Sequence, residues 1–255
     1  MPACRSSASS APNSTEPDLS EDFDLAGAYA SARSRISGLV STAGMDEVAN
    51  CIVPATPAWT VPLLIAHLRG VLADVAAGNL EGSPGEAWTA AQIKRWGDVP
   101  LPELFEQWAA ESREVEVLLR AGTAGPFSVP LVMDAHAHEQ DLRGALGMSG
   151  ERTGSFYAWA IDILAGRIPD RVAKAGLAPM ALVTPIGRFG ADDAPVTLTV
   201  DEWEYTRVAF GRRSVAQVTA LQWAVNGVPV VDSAVVAPYA PLLSRFGLAT
   251  ADLTE

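Results

Sequence analysis

Apolar residues recur every three to four positions through most of the first 175 residues, the signature of amphipathic helices. Leu25, Tyr29, Ile36, Leu39 and Val40 predict a helix over 24–42, with Gly44 as its stop. Leu63, Leu64, His67, Val71 and Val75 form one stripe of a second helix. Thr60 is its expected N-cap, Pro62 lies in the first turn, where the missing N–H costs nothing, and Gly78 ends it. A short helix capped by Thr89 is expected to run to Trp96, and a long one over 101–121 turns Leu104, Phe105, Trp108, Val115, Leu118 and Leu119 inward. The next spans 129–146, with Gly147 as C-cap. Another spans 156–175, interrupted at Pro169. Near Gly176 the pattern changes. The runs 181–185 and 195–200 alternate as strands and suggest a hairpin, 202–210 and 214–223 look helical, and 228–236 is β-like. The expectation is a mainly α protein with an α+β part. Residues 1–22 form a disordered tail, 23–176 a helix bundle with a connecting helix, and 177–255 a smaller α+β domain.

Composition narrows the partners. The chain has 255 residues, 49% hydrophobic and 19% charged, enough apolar surface for a core. A net charge of −12 argues against nucleic acid and anionic membranes, which both require basic surfaces. No run approaches the roughly eighteen apolar residues of a membrane span. The Ser/Pro-rich start has no apolar segment of the secretory kind. Two cysteines, Cys4 and Cys51, make neither a disulfide framework nor a thiolate cluster, which fits a reducing cytoplasm. No apolar stripe is left over for an interface, so a monomer and a homodimer both remain open.

The candidate chemistry concentrates in the helix over 129–146. Two of the three histidines and three carboxylates fall within residues 134–141. Asp134 and His138 stand one turn apart on one face, Asp141 follows three residues later, and His136 points roughly the other way. His67 faces inward on another helix. Facing helices in a bundle core assemble metal sites from single carboxylates and histidines, and a His/His/carboxylate set suits Zn²⁺ or another divalent ion with positions left for water or substrate. Asp141 or Glu139 would then orient His138. The plainer readings are a hydrogen-bonded core histidine at 67 and a solvated polar face at 134–141. A Gly-x-Ser-x-Gly elbow, a P-loop and a dinucleotide fingerprint are absent, and Cys51 has no histidine near it in sequence.

Pro57-Ala-Trp-Thr-Val-Pro-Leu-Leu-Ile-Ala-His67-Leu resembles the N-terminal signature of the mycothiol-dependent maleylpyruvate isomerase family, a branch of the DinB-like metal-binding four-helix bundles. Asp134-Ala-His-Ala-His138-Glu-Gln-Asp141-Leu-Arg-Gly-Ala-Leu-Gly is similar to its second signature. The stretch from Glu202 to Ser214, with Gln217 and Leu221-Gln-Trp223, is similar to its C-terminal domain. The resemblance implies a DinB-like bundle in which His67, Asp134 and His138 are metal ligands, and it places Arg212 or Arg213 at the substrate carboxylate. It also implies that Asp141 holds His138 in place. The family's characterised isomerase carries glutamate where this chain has Asp134, one methylene longer. The resemblance further implies that Zn²⁺ binds the sulfur of a low-molecular-weight thiol such as mycothiol, for isomerisation or S-transfer on a small carboxylated substrate. Three other functions use the same residues: a metal-water hydrolase, a non-catalytic small-molecule-binding or regulatory protein, and a structural bundle without metal.

Overall fold

The structure is a computed structural model that describes residues 23–255, so the tail expected at 1–22 lies outside the described residues. Five helices open it: α1 (Leu25–Ala43), α2 (Val61–Ala77), α3 (Glu86–Trp96), α4 (Leu101–Arg120) and α5 (Ser128–Leu146). Local chemistry sets their ends. Asp24 caps α1 by accepting from the Gly27 N–H at 2.8 Å, and Gly78 and Gly147 close α2 and α5 in the left-handed conformation. Two caps differ from expectation. Thr60 makes no side-chain cap bond and instead bridges to Ile52 as a fragment of antiparallel pairing. The third helix begins at Glu86 behind Gly85, so Thr89 lies inside it.

Helices α1, α2, α4 and α5 pack against one another around one apolar core, with α3 laid on α2. Tyr29, Ile36, Leu64, Leu72, Leu104 and Trp108 are among its buried side chains. The close approach of α3 depends on Gly70. A Cβ there would stand 2.7 Å from Cβ of Gln92, a fully buried residue. Gly70→Ala is therefore expected to destabilise the fold by about 1–3 kcal/mol through overpacking, read as a lower midpoint in urea. An unchanged midpoint would show that α3 yields freely.

The fifth helix is central. From Leu131 to Leu142 every side chain but Asp134 is buried, including His136, His138, Glu139, Gln140 and Asp141. The solvated polar face allowed by the sequence is not what forms. Charges carried into this environment must be paired or bind a cation.

The chain continues through α6 (Ser155–Ala165) and α7 (Ile168–Lys174). The break falls at Gly166-Arg167 rather than at Pro169, which sits in the first turn of α7, where proline is tolerated. Then come β1 (Met180–Thr184), β2 (Gly187–Gly190), β3 (Val196–Thr199), α8 (Glu202–Ala209), α9 (Val215–Thr219), β4 (Gln222–Val225) and β5 (Val228–Pro229). The sheet order is β2-β1-β3-β4-β5. The two runs expected to form a hairpin do pair, but in parallel, with Leu182 opposite Leu198. The hairpin partner of β1 is instead β2, across a two-residue turn. Its sequence Gly-Arg-Phe-Gly has no apolar alternation, so only backbone pairing recruits it. Residue 223, expected at a helix end, is in β4 opposite Leu198, and most of 228–236 is not strand. Asn226-Gly227 carried the missed signal: both take positive φ, 50° and 78°, and turn β4 into β5.

A second apolar core lies under this sheet, built from Ile161, Ile168, Val172, Leu182, Tyr205 and Trp223 among others, and α8 packs against α6. Trp203 belongs instead to the first core, and its indole N–H donates to Gln140 Oε1 on α5 at 3.0 Å. Arg207 on α8 and Arg212 just after it reach Asp141, on the face of α5 that carries His138.

Candidate metal centre

Side chains from α2 and α5 meet at one point. Ligand atoms of His67, Asp134 and His138 all lie within 4.8 Å of one another. His67 Nε2 is 3.6 Å from one Asp134 oxygen and His138 Nε2 is 3.5 Å from the other. Both imidazoles are buried and the Asp134 side chain is 31% exposed, so the group opens to solvent on the aspartate side.

The hydrogen bonds behind the imidazoles fix their tautomers. Arg95 donates to Asp74 at 2.6 Å, Gln92 Nε2 donates to Asp74 at 3.0 Å, and the amide oxygen of Gln92 is thereby turned to His67 Nδ1 at 2.8 Å. With that oxygen as acceptor, His67 carries its proton on Nδ1. His138 Nδ1 likewise donates to Asp141 Oδ2 at 2.9 Å. Both Nε2 lone pairs are therefore left facing a carboxylate.

Three acceptors converge on one space with no proton between them, and Asp134 Oδ2 is buried without a hydrogen-bond partner. That arrangement is unfavourable unless a cation occupies the space. Burial pushes the Asp134 carboxyl upward, but positive charge at the site, from His138 and His67 when an imidazole takes up a proton in place of that cation and from Arg212, outweighs it and holds the carboxyl below the usual range, so it is anionic at neutral pH. Donors at about 2.0–2.1 Å from a tetrahedral ion stand about 3.4 Å apart, close to the spacing already present. The residues fit a divalent ion with two imidazoles and one carboxylate, leaving a position open.

The supports on the two sides differ. On the α2 side the chain is Asp74–Gln92–His67. Burial raises the Asp74 carboxyl, yet hydrogen bonds from Arg95, Gln92 and Asn79 prevail and lower it. A depressed carboxylate contributes stability that is present above its unfolded value near 4 and lost as pH falls through the folded one. Asp74→Asn is thus expected to flatten the fall in stability below about pH 4. Gln92→Leu should lower metal affinity by about 10–100-fold without unfolding the chain. Calorimetric titration with Zn²⁺ reads the second effect, and an affinity equal to wild type would mean that Gln92 does not orient His67.

On the α5 side Asp141 is the hub. It accepts from His138, from Arg207 at 2.6 Å, and from both Nε and Nη2 of Arg212, at 3.1 and 2.6 Å. Burial alone would raise its carboxyl, but Arg212, Arg207 and His138 hold it well below the usual range. The fork of Arg212 is thereby spent on Asp141 and is not available for bidentate capture of a substrate carboxylate. Arg213 does not line the cavity; it is buried against Glu204 at 2.6 and 2.8 Å and Glu255 at 2.9 Å. Glu139, the other expected orienter of His138, is held by Arg35 at 2.7 and 2.8 Å and by Arg143, away from the imidazole. His136 stacks on Phe156 with ring centroids 3.5 Å apart. Burial, helped by Arg35, pushes its imidazole down to about 3, so it is neutral and stands apart from the cluster.

The sequence reading missed Arg207 and Glu255, which pair beside Asp141, and Gln92. Arg207 carried a weak signal, a charge set between the apolar Tyr205 and Val208. Nothing in sequence connects residue 92 to 67.

A cavity of about 860 Å³ opens over the cluster. Trp59 walls one side, its ring centroid 4.9 Å from that of His67. Met133, Phe127, Phe210 and Arg212 line other parts. Among the described residues no helix is long and apolar enough to cross a membrane.

No protein-family model matches this sequence, and no curated protein matches it. Among solved structures it is similar to the crystal structure of the mycothiol-dependent maleylpyruvate isomerase, at 14% identity and a TM-score of 0.46, over 74% of this chain and 88% of that one.

Proposed function

We propose that this chain is a metal-dependent enzyme that uses a low-molecular-weight thiol, mycothiol or a relative, for isomerisation or S-transfer on a small carboxylated substrate. In this reading residues 23–176 are a DinB-like four-helix bundle with a connecting helix, and 177–255 are a smaller domain that braces it. The observation that carries the metal is the convergence of two Nε2 lone pairs and an anionic carboxylate at the floor of an open cavity. The choice of thiol chemistry rests on the resemblance of the stretches around His67 and His138 to the isomerase family's signatures.

His67, Asp134 and His138 would hold the ion, Zn²⁺ in the first instance. A divalent metal in that position supplies Lewis acidity, which ionises a thiol at neutral pH. The chain's own residues do the rest. Gln92 and Asp141 hold the Nδ1 protons, so that each neutral imidazole presents Nε2 to the ion. Asp141 stays charged because two arginines and an imidazole surround it, so the His138 proton remains on Nδ1. Trp59 and the apolar wall limit water around the reacting sulfur. Among the described residues no cysteine lines the cavity, and the Cys51 thiol turns to the Ala145 carbonyl at 3.7 Å. An external thiol would then supply the nucleophile. In isomerisation the sulfur adds to an activated C=C, the resulting single bond rotates, and the thiol leaves with its electron pair to restore the double bond. In S-transfer it displaces a leaving group instead.

The test is cobalt-substituted protein titrated with mycothiol. A sulfur-to-cobalt charge-transfer band that saturates with thiol, and is lost in His138→Ala, is the expected result. A cobalt spectrum that ignores thiol would end the thiol reading and turn attention to hydrolysis by bound water.

A further inference from the structure

We propose that the mouth of the same cavity is an anion-binding subsite formed by Arg167, Arg171 and Lys174 with Arg245, and that it takes an organic anion with an apolar body. All four side chains line the cavity. Arg167 is the N-cap residue of α7, and Arg171 and Lys174 follow it at four and three positions, along the same side of the helix, which Ile168 and Val172 anchor in the second core. Like charges at that spacing repel and weaken a helix. The helix dipole accounts for Arg171 and Lys174 in the last turn. It does not account for Arg167, at the N-terminal end where a cation is disfavoured, or for Arg245 on a separate loop.

Among the described residues none of the four pairs with a carboxylate. Arg171 donates to the carbonyls of Leu242 and Ser244, at 3.0 and 3.2 Å, and the Arg245 guanidinium lies 5.7 Å from the Phe246 ring centroid. Among the described residues, with Arg212, five cations line this cavity against two acids, Asp134 and Asp170. The whole chain has the opposite balance, 18 basic residues to 30 acidic. A protein of that net charge repels anions, and a cationic cavity reverses the field where it matters. The cavity also has apolar walls, among them Val71, Val75, Phe127 and Leu164. A small inorganic anion would leave these unused, whereas an organic anion covers them. The inference rests on the proposed function only in taking this cavity as the substrate site, since the cations act with or without metal.

The experiment compares two fluorescent probes on the full chain, anilinonaphthalene sulfonate and its uncharged relative phenylnaphthylamine. The anionic probe is expected to bind about tenfold more tightly, with an affinity that falls as salt rises. The triple variant Arg167→Gln, Lys174→Gln, Arg245→Gln replaces exposed side chains without ion-pair partners and should fold. It is expected to erase that tenfold preference and leave the neutral probe unchanged. Naphthoate should displace the anionic probe where equimolar phosphate does not. Equal affinities for the two probes, or a preference that survives the triple substitution, overturn the subsite. Displacement by phosphate at equal concentration overturns the apolar body. In His67→Ala the preference should persist, and its loss there would assign the anion to the metal position instead. Absence of metal from wild type, with the preference intact, would sink the metal reading and leave this one standing.

Discussion

Purified protein is expected to carry about one divalent ion per chain, and both His67→Ala and Asp134→Ala to lose it. The two substitutions remove ligands from different helices, α2 and α5. Loss in both therefore places the ion between those helices, which loss in one alone would not. Removing even an indirect support of a metal ligand lowers affinity by about 10–100-fold, and removing one of three ligands should exceed that. Folding should survive, because each variant also relieves the convergence of acceptors. Asp134→Glu is the informative third variant. Its oxygen reaches one methylene further, into a side that is already partly open, so metal should be retained. Mass spectrometry of the metal content, before and after incubation with Zn²⁺, reads all three. Wild type that stays metal-free after incubation would leave His67 and His138 as hydrogen-bonded core histidines.

Asp141→Ala should be the most damaging substitution for stability. Asp141 and Arg207 are each about 1% exposed, and Asp141 is bound by two arginines and one imidazole. Breaking a buried ion pair from one side leaves uncompensated charge and costs about 3–5 kcal/mol. For a chain of this size that lowers the thermal midpoint by roughly 6–20 °C. The same change frees His138 Nδ1, so metal affinity should fall by about 10–100-fold. Arg207→Met is the control. It leaves Asp141 with Arg212 and leaves Glu255 with Arg213. A smaller loss of about 1.5–3 kcal/mol, with metal affinity near wild type, is expected. Equal losses in the two variants, in stability and in metal, would mean that the cluster is a structural brace with no separate part in orienting His138.

Much of the helical half was legible in the sequence because its cues are local. A 3.6-residue period and glycine stops at 44, 78 and 147 act within a few residues of where they stand. The pairing of Asp134 with His138 is local for the same reason, one helical turn being a fixed distance, and so is the contact of His138 with Asp141. His67 was readable as inward because its neighbours on the stripe are apolar.

Tertiary structure decided the rest. Strand pairing joins residues far apart in sequence, so the parallel match of β1 with β3 and the recruitment of β2 could not come from alternation alone. The fate of the polar run 134–141 was also decided there. Its charges read equally well as a solvated face or a buried cluster, and only the packing of α1, α2 and α8 around α5 buries them. Which arginine serves Asp141 is a matter of reach across two elements: Arg207 and Arg212 arrive, while Arg213, one residue further on, turns to Glu204. Gln92 supports His67 only because Gly70 lets α3 come close to α2. Sequence by itself determined which side chains could hold a cation. Packing determined that two imidazoles present bare nitrogens to one carboxylate, because burial leaves each of them a single partner for its other nitrogen.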